Sequence, residues 1–156
     1  DFFQRYLFIR SQASFMSYLK ELNIPALDQS TIKLSRADGV ITFLIGQPSE
    51  QNLNPQVWIG QDDFVIRKIR TPSAAEINLS QITNFPSDVL LAKSQTITWP
   101  NTQPVTVQIK IKKVDVNAGG TISSFYPQNI ETPSEITFAN KTPLTAVMEE
   151  FYSRFR

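Results

Sequence analysis

The sequence contains no cysteine and no histidine. The chain therefore has no thiol nucleophile, no His-based catalytic triad, no imidazole general base and none of the usual zinc ligands. The lack of cysteine leaves the compartment open, because such a chain is stable in oxidising and reducing surroundings alike. The sequence also has no glycine-rich phosphate loop and no convincing carboxylate pair for acid–base catalysis. We therefore expect a non-enzymatic protein without a cofactor.

Charged residues are also few, at 19% of the chain, below the roughly 25% of an average domain. Ser, Thr, Asn and Gln together number 48, and such a neutral polar surface favours an envelope or secreted protein. The net charge of +1 gives no field that would attract nucleic acid. No apolar run reaches the roughly 18 residues of a transmembrane helix. The chain begins with Asp1 rather than Met, which predicts a processed or trimmed product.

The N-terminal segment, from Asp1 to about Leu22, has two adjacent apolar stripes at helical spacing. The sequence Asn23-Ile24-Pro25 ends this pattern, because a residue before proline is disfavoured in a helix. We predict a core helix that is covered on more than one side, in preference to a helix on a membrane surface.

Two hairpins follow. In Ser30–Gln47 the dipeptide Asp38-Gly39 predicts a type I′ turn that pairs Leu34 with Phe43 and Ile32 with Ile45. In Pro55–Arg70 a turn at Gln61-Asp62 predicts that Ile59 pairs with Phe64 and Val57 with Ile66. Both hairpins then have one apolar face, since side chains alternate between faces along a strand.

Three more strands and a second helix are predicted after these hairpins. Apolar residues alternate with polar ones from Ala75, from Val89 to Trp99, and from Val105 to Asn117, where a change of parity at Lys112-Lys113 predicts a β-bulge. We interpret Lys110 and Lys112 as solvated edge lysines. A short strand is predicted from Glu135 to Phe138. The last helix begins after a Thr142 cap and has one apolar stripe: Leu144, Val147, Met148, Phe151 and Phe155.

The inventory predicts an α+β fold in one domain. A curved, unclosed antiparallel sheet of about six strands carries one N-terminal and one C-terminal helix. Residues 1–127 form the helix and sheet, and residues 128–156 form a C-terminal extension. Ser17-Tyr18-Leu19-Lys20 matches the Ser-x-x-Lys pattern of penicillin-recognising enzymes, but the partner motifs of that family are missing.

The order of elements resembles the LolA/LolB-like family of outer-membrane lipoprotein-sorting proteins. The resemblance spans about Phe2 to Pro127. It depends on three runs of sequence: the run from Arg36 to Gly46, the run Gln56-Val57-Trp58-Ile59 with the acidic turn after it, and the run from Val105 to Asn117. It implies a half-barrel whose concave apolar face holds acyl chains. Family members have strands before the first helix, so the resemblance also implies that N-terminal strands are missing here.

On this resemblance we expect a periplasmic carrier whose partners are lipid or an acylated protein, and an envelope protein that contacts the C-terminal helix. The candidate lipid-binding residues are those of the predicted apolar face: Ile41, Phe43, Ile45, Val57, Ile59, Phe64, Ile66, Ile77, Leu79, Val107 and Ile109. Two alternatives stay open. The same residues can form a closed core, or the chain can be a pilin-like or secretion-system subunit.

Overall fold

A computed structural model describes residues 11–25, 32–47, 54–85, 89–100, 104–114, 138 and 142–155. These residues form two helices, α1 (Gln12–Glu21) and α2 (Pro143–Phe155). The strands are β1 (Ile32–Ala37), β2 (Val40–Ile45), β3 (Gln56–Gly60), β4 (Ile66–Arg70), β5 (Glu76–Phe85), β6 (Val89–Trp99) and β7 (Val105–Lys110).

The seven strands form one antiparallel sheet in the order β1-β2-β3-β4-β5-β6-β7. Each strand pairs with its sequence neighbours, so the sheet is a meander with β1 and β7 at its two edges. The sheet is open and resembles a half-barrel. The predicted α+β class is therefore confirmed, with seven strands rather than about six.

The β1–β2 hairpin has the predicted register. Leu34 pairs with Phe43 and Ile32 with Ile45. Asp38 and Gly39 both have positive φ, at 51° and 76°, as a type I′ turn requires. Local turn chemistry is therefore sufficient to fix this hairpin.

Replacement of Gly39 by valine should lower the free energy of unfolding by about 1 kcal/mol or more, because a β-branched residue is strained at this φ. Crowding does not contribute, since no atom lies within 4 Å of a Cβ built at Gly39. Denaturant titration measures the change, and Gly39→Asn is the matched control, because asparagine tolerates positive φ. Equal midpoints for wild type and Gly39→Val would contradict the turn assignment.

The predicted register of the β3–β4 hairpin is wrong. Ile59 pairs with Ile66 and Val57 with Ile69, with a register shift between Trp58 and Ile59. The turn is longer than two residues because Gly60 bonds to Val65 and Phe64 through the backbone at 2.8 and 3.0 Å.

Phe64 consequently lies in the turn, at φ 54°, rather than in the strand. Asp63 stabilises this turn by accepting a hydrogen bond from the Val65 amide at 3.1 Å and by pairing with Arg67. Ile66 and Ile69 are three positions apart, so regular alternation would place them on opposite faces. The shift in register instead places both on the face that carries Val57 and Ile59.

Strand β5 begins with the predicted alternation, since Ala75, Ile77 and Leu79 are fully buried. Strand β6 has the predicted bounds, but its alternation is not the predicted one, because Ala92 belongs to the core cluster with Ile97 and Trp99 and Leu91 does not. Strand β7 differs, since it ends at Lys110 and so has no β-bulge at Lys112-Lys113. The predicted strand from Glu135 to Phe138 lies outside the described residues apart from Phe138 itself.

Helix α1 begins at Gln12, after Ser11, rather than as part of one helix predicted from Asp1. Ser11 has an extended backbone, with φ −141° and ψ 155°, and its hydroxyl accepts a hydrogen bond from the Ser14 amide. This cap sets the start of the helix; residues 1–10 lie outside the described residues. At the other end Asn23 has φ 58° and the Ile24 amide donates to the Leu19 carbonyl at 2.9 Å, which is a Schellman motif. The predicted stop at Asn23-Ile24-Pro25 is confirmed.

Helix α2 begins as predicted. The Thr142 hydroxyl accepts a hydrogen bond from the Thr145 amide at 3.2 Å, and Pro143 occupies the first helical position, where its missing N–H is not needed. The backbone amide of Phe138 donates to Glu149 at 3.0 Å. This bond ties the chain before the helix to the helix itself.

Candidate functional site

The two helices cover one face of the sheet, which we call the inner face. Ladder partners share a face, so Val57, Ile69, Ile77, Ile97 and Val107 form a continuous row across β3 to β7. The buried cluster that contains most of this row also contains residues of α1 and the following turn, and one residue of α2: Tyr18, Leu19, Leu22, Ile24 and Val147.

The eleven candidate residues fall into three groups by exposure. Five are buried in the cluster under the helices: Ile45, Val57, Ile66, Ile77 and Leu79. Four are half-buried: Phe43, Ile59, Val107 and Ile109. Two are exposed: Ile41 and Phe64. The middle of the inner face is therefore filled by side chains, whereas its β1–β2 end is open to solvent.

Helix α2 docks on the sheet through apolar and polar contacts. Val147 is buried, and Phe151 packs edge-on against Trp99 with ring centroids 6.4 Å apart. The Trp99 indole N–H donates to Glu150 at 2.9 Å, and the Ser73 hydroxyl donates to the same carboxylate. The expectation that this helix covers the sheet is thereby confirmed for these residues. Leu144, however, is 53% exposed, and the Phe155 side chain lies outside the described part of the structure.

A groove of about 760 Å³ lies beside the C-terminal half of α1. Its volume is within the roughly 300–1,000 Å³ of typical ligand pockets. Apolar atoms make up most of its lining, to which α1 and the turn after it contribute Met16, Ser17, Leu19, Lys20, Asn23, Ile24 and Pro25. None of these is a candidate predicted from the strands. Alternation along strands could not have indicated this groove, because its described lining comes from the helix and the turn after it.

A second apolar feature lies at the β1–β2 end of the inner face, which we call the edge patch. Leu34 is 68% exposed and Phe64 is 74% exposed. Phe64 stacks on Phe43 with centroids 6.5 Å apart and an interplanar angle of 22°. Phe64 therefore contributes to this surface from the turn, and not from a strand as the sequence pattern predicts.

The opposite face carries a polar cluster around a buried tryptophan. Lys68 Nζ and Arg70 Cζ lie 5.0 and 5.3 Å from the centroid of the Trp58 ring, within cation–π range. Arg70 donates to Glu76 at 2.9 and 2.5 Å and to Gln56 at 2.7 Å, and Lys68 pairs with Glu76 at 2.8 Å. Burial alone would raise the pKa of Glu76. The hydrogen bonds and charges of Lys68 and Arg70 outweigh burial, so the pKa of Glu76 lies below its ordinary value.

This cluster predicts an acid-sensitive contribution to stability. Because the pKa of Glu76 is lower in the folded chain, its contribution is present above the ordinary pKa of 4.5 and is lost as the pH falls from there through the folded value. Denaturant titrations across this range should show wild type losing stability more steeply than Glu76→Gln. Identical pH dependence of the two proteins would contradict the role of the cluster.

Within the described residues, neither helix is long and apolar enough to cross a membrane. The same residues hold no group of three or more carboxylates that could bind a metal ion. The chain was also compared with known proteins. No family model, no curated protein and no solved structure matches it.

Proposed function

We propose that the protein is a non-enzymatic binding or carrier module for lipid or for the acyl chains of lipoproteins in the bacterial envelope. The observation that carries this proposal is the apolar groove of about 760 Å³ beside α1. An envelope or periplasmic location agrees with the low charge of the chain and with its resemblance to lipoprotein carriers.

The lining of the groove suits a ligand with an apolar tail and a polar head. Among the apolar lining residues Met16 is half-buried and offers accessible surface, whereas Leu19 and Ile24 belong to the buried core cluster. Transfer of an acyl chain from water onto apolar surface gains about 0.8 kcal/mol per CH₂ group. Lys20 and Asn23 line the same groove and offer donors to a head group. Methionine is unbranched and adapts its shape to a flexible chain.

The C-terminal helix supports a further part of the proposal, an envelope protein as partner. Val147 is turned into the core, while Leu144 and Tyr152 stay exposed on the same helix. Leu144, near the start of the helix, and Tyr152, near its end, are therefore accessible to a second protein.

One observation favours the alternative of a closed core without ligand. Ile77 and Ile97 in the middle of the inner face are fully buried by the protein itself, so an acyl chain has no space there while the helices are docked. The two functions differ in whether the groove beside α1 is occupied.

Native mass spectrometry of protein purified without detergent, followed by titration with a fluorescent fatty acid, tests the proposal. We expect bound lipid in wild type. In Met16→Glu we expect the affinity for the fatty acid to fall at least about tenfold, because the acyl chain must desolvate the new charge in the groove. The control is Leu90→Glu, which places the same charge at an exposed leucine of β6. Absence of binding by wild type would favour the closed core.

A further inference from the structure

Strand β1 is an edge strand whose outer side pairs with no other strand in the described part of the chain. Its backbone donors and acceptors alternate between the two sides. Gln61 donates to the Ile41 carbonyl at 3.0 Å, so Ile41 bonds towards β3 and not towards its ladder partner Arg36. Since hydrogen-bonded and non-bonded pairs alternate, Ile32, Leu34 and Arg36 direct their amides and carbonyls to the open edge.

The side chains at this edge are unusual for an unpaired strand. Leu34 and Ile32 are exposed on the inner face, next to exposed Ile41 of β2. Proteins usually protect such an edge with charges, prolines or bulges, because an open apolar edge invites pairing with another strand. β1 has no proline, and its Lys33 lies on the opposite face from Leu34. Arg36 is the one charged residue of β1 on the same face as Leu34.

From this geometry we propose that β1 is the interface of a two-fold symmetric dimer, in which the β1 strands of two copies pair antiparallel and continue the sheet. A two-fold axis perpendicular to the sheet maps the edge onto itself. With the axis beside Leu34, the outward-facing residues become the hydrogen-bonded ones. Leu34 pairs with Leu34 of the second copy, and Ile32 pairs with Arg36 of that copy.

The charges of the strand are compatible with this register. Lys33 lies opposite Ser35 of the second copy, and Arg36 lies opposite Ile32, so no cation directly opposes another cation. A register centred on Arg36 would oppose two guanidinium groups on the axis, which is destabilising. The hydrogen-bonding pattern and the charges therefore favour the same alignment, with Leu34 at its centre.

Light scattering and sedimentation of the full chain over a wide range of concentrations test the interface. We expect a monomer–dimer equilibrium in wild type and a monomer at every concentration in Leu34→Lys, which places two ammonium groups on the axis. Leu144→Lys is the matched control, because it changes an exposed leucine on α2, and it should dimerise like wild type. A wild type that is monomeric throughout, or a Leu34→Lys protein that still dimerises, would overturn the proposal.

Disulfide trapping tests the register directly, because the chain has no cysteine of its own. In Leu34→Cys the two new residues form a hydrogen-bonded pair with Cα atoms about 5.5 Å apart, within the range that a disulfide spans. Mild oxidation should convert Leu34→Cys to a covalent dimer much faster than Lys33→Cys, whose thiols lie opposite serine. Equal trapping of both variants would contradict the alignment, and trapping of neither would overturn the proposed pairing.

Discussion

Replacing Ile69 by alanine is expected to lower the free energy of unfolding by about 2 to 5 kcal/mol, the range measured for large apolar residues deleted from protein cores. Ile69 is fully buried and lies between Val57 and Ile77 in the row across the inner face. The truncation would leave a cavity that rigid neighbouring strands cannot close. Denaturant or thermal unfolding measures the loss.

Phe64→Ala is the matched control for this experiment. Phe64 is larger than Ile69, but it is exposed and contacts Phe43 from a turn, so its removal should lower stability by about 1 kcal/mol or less. The alternation of apolar residues in the sequence predicts the reverse order, with Phe64 inside. A larger loss for Phe64→Ala than for Ile69→Ala would restore the two-residue turn and contradict the register of β3 and β4.

Deleting residues 142–156 should expose the sheet, lower stability and increase the binding of a hydrophobic dye. Val147 and Phe151 would be lost from the core, and full burial of such side chains contributes about 1.5 to 3 kcal/mol each before ordering costs. The Trp99 indole N–H would also lose its bond to Glu150. If the protein carries lipid, its uptake should change as well.

Leu144→Ser is the control for this deletion. It tests whether the effects come from loss of the helix that covers the sheet or from loss of any apolar side chain. Leu144 lies on the same helix but is exposed, so this variant should keep the stability and dye binding of wild type. If the deletion left stability, dye binding and lipid uptake unchanged, α2 would belong to an interface with a partner rather than to the core.

Local chemistry explains which elements the sequence predicts well. The Asp38-Gly39 turn demands positive φ at two successive residues, and this demand fixes the pairing of Leu34 with Phe43 without any help from the rest of the chain. Thr142 and Pro143 similarly mark the start of α2. In both cases the deciding interactions lie within a few residues of one another.

Alternation fails where the backbone departs from regular geometry. The Gly60–Val65 turn and the register shift beside it change which residues of β4 face the core. Regular alternation of side chains along the strand therefore predicts a buried Phe64 and does not predict a buried Ile69. Ser11 lies within an apolar pattern that continues on both sides of it, and its hydroxyl sets the start of α1 regardless of periodicity, because it caps the first amides of the helix. The groove beside α1 is lined by residues of the helix and the turn after it, to which the alternation along strands gives no signal.

The most direct test of the account is where a bound acyl chain lies. Intermolecular NOEs between the methylene protons of a bound fatty acid and the methyl groups of the methyl-labelled protein report direct contacts. We predict NOEs to Met16, which lines the groove, and none to the Ile77 and Ile97 methyl groups beneath the helices. NOEs to Ile77 and Ile97 would contradict the closed inner face, and the absence of an NOE to Met16 would contradict lipid binding in the groove.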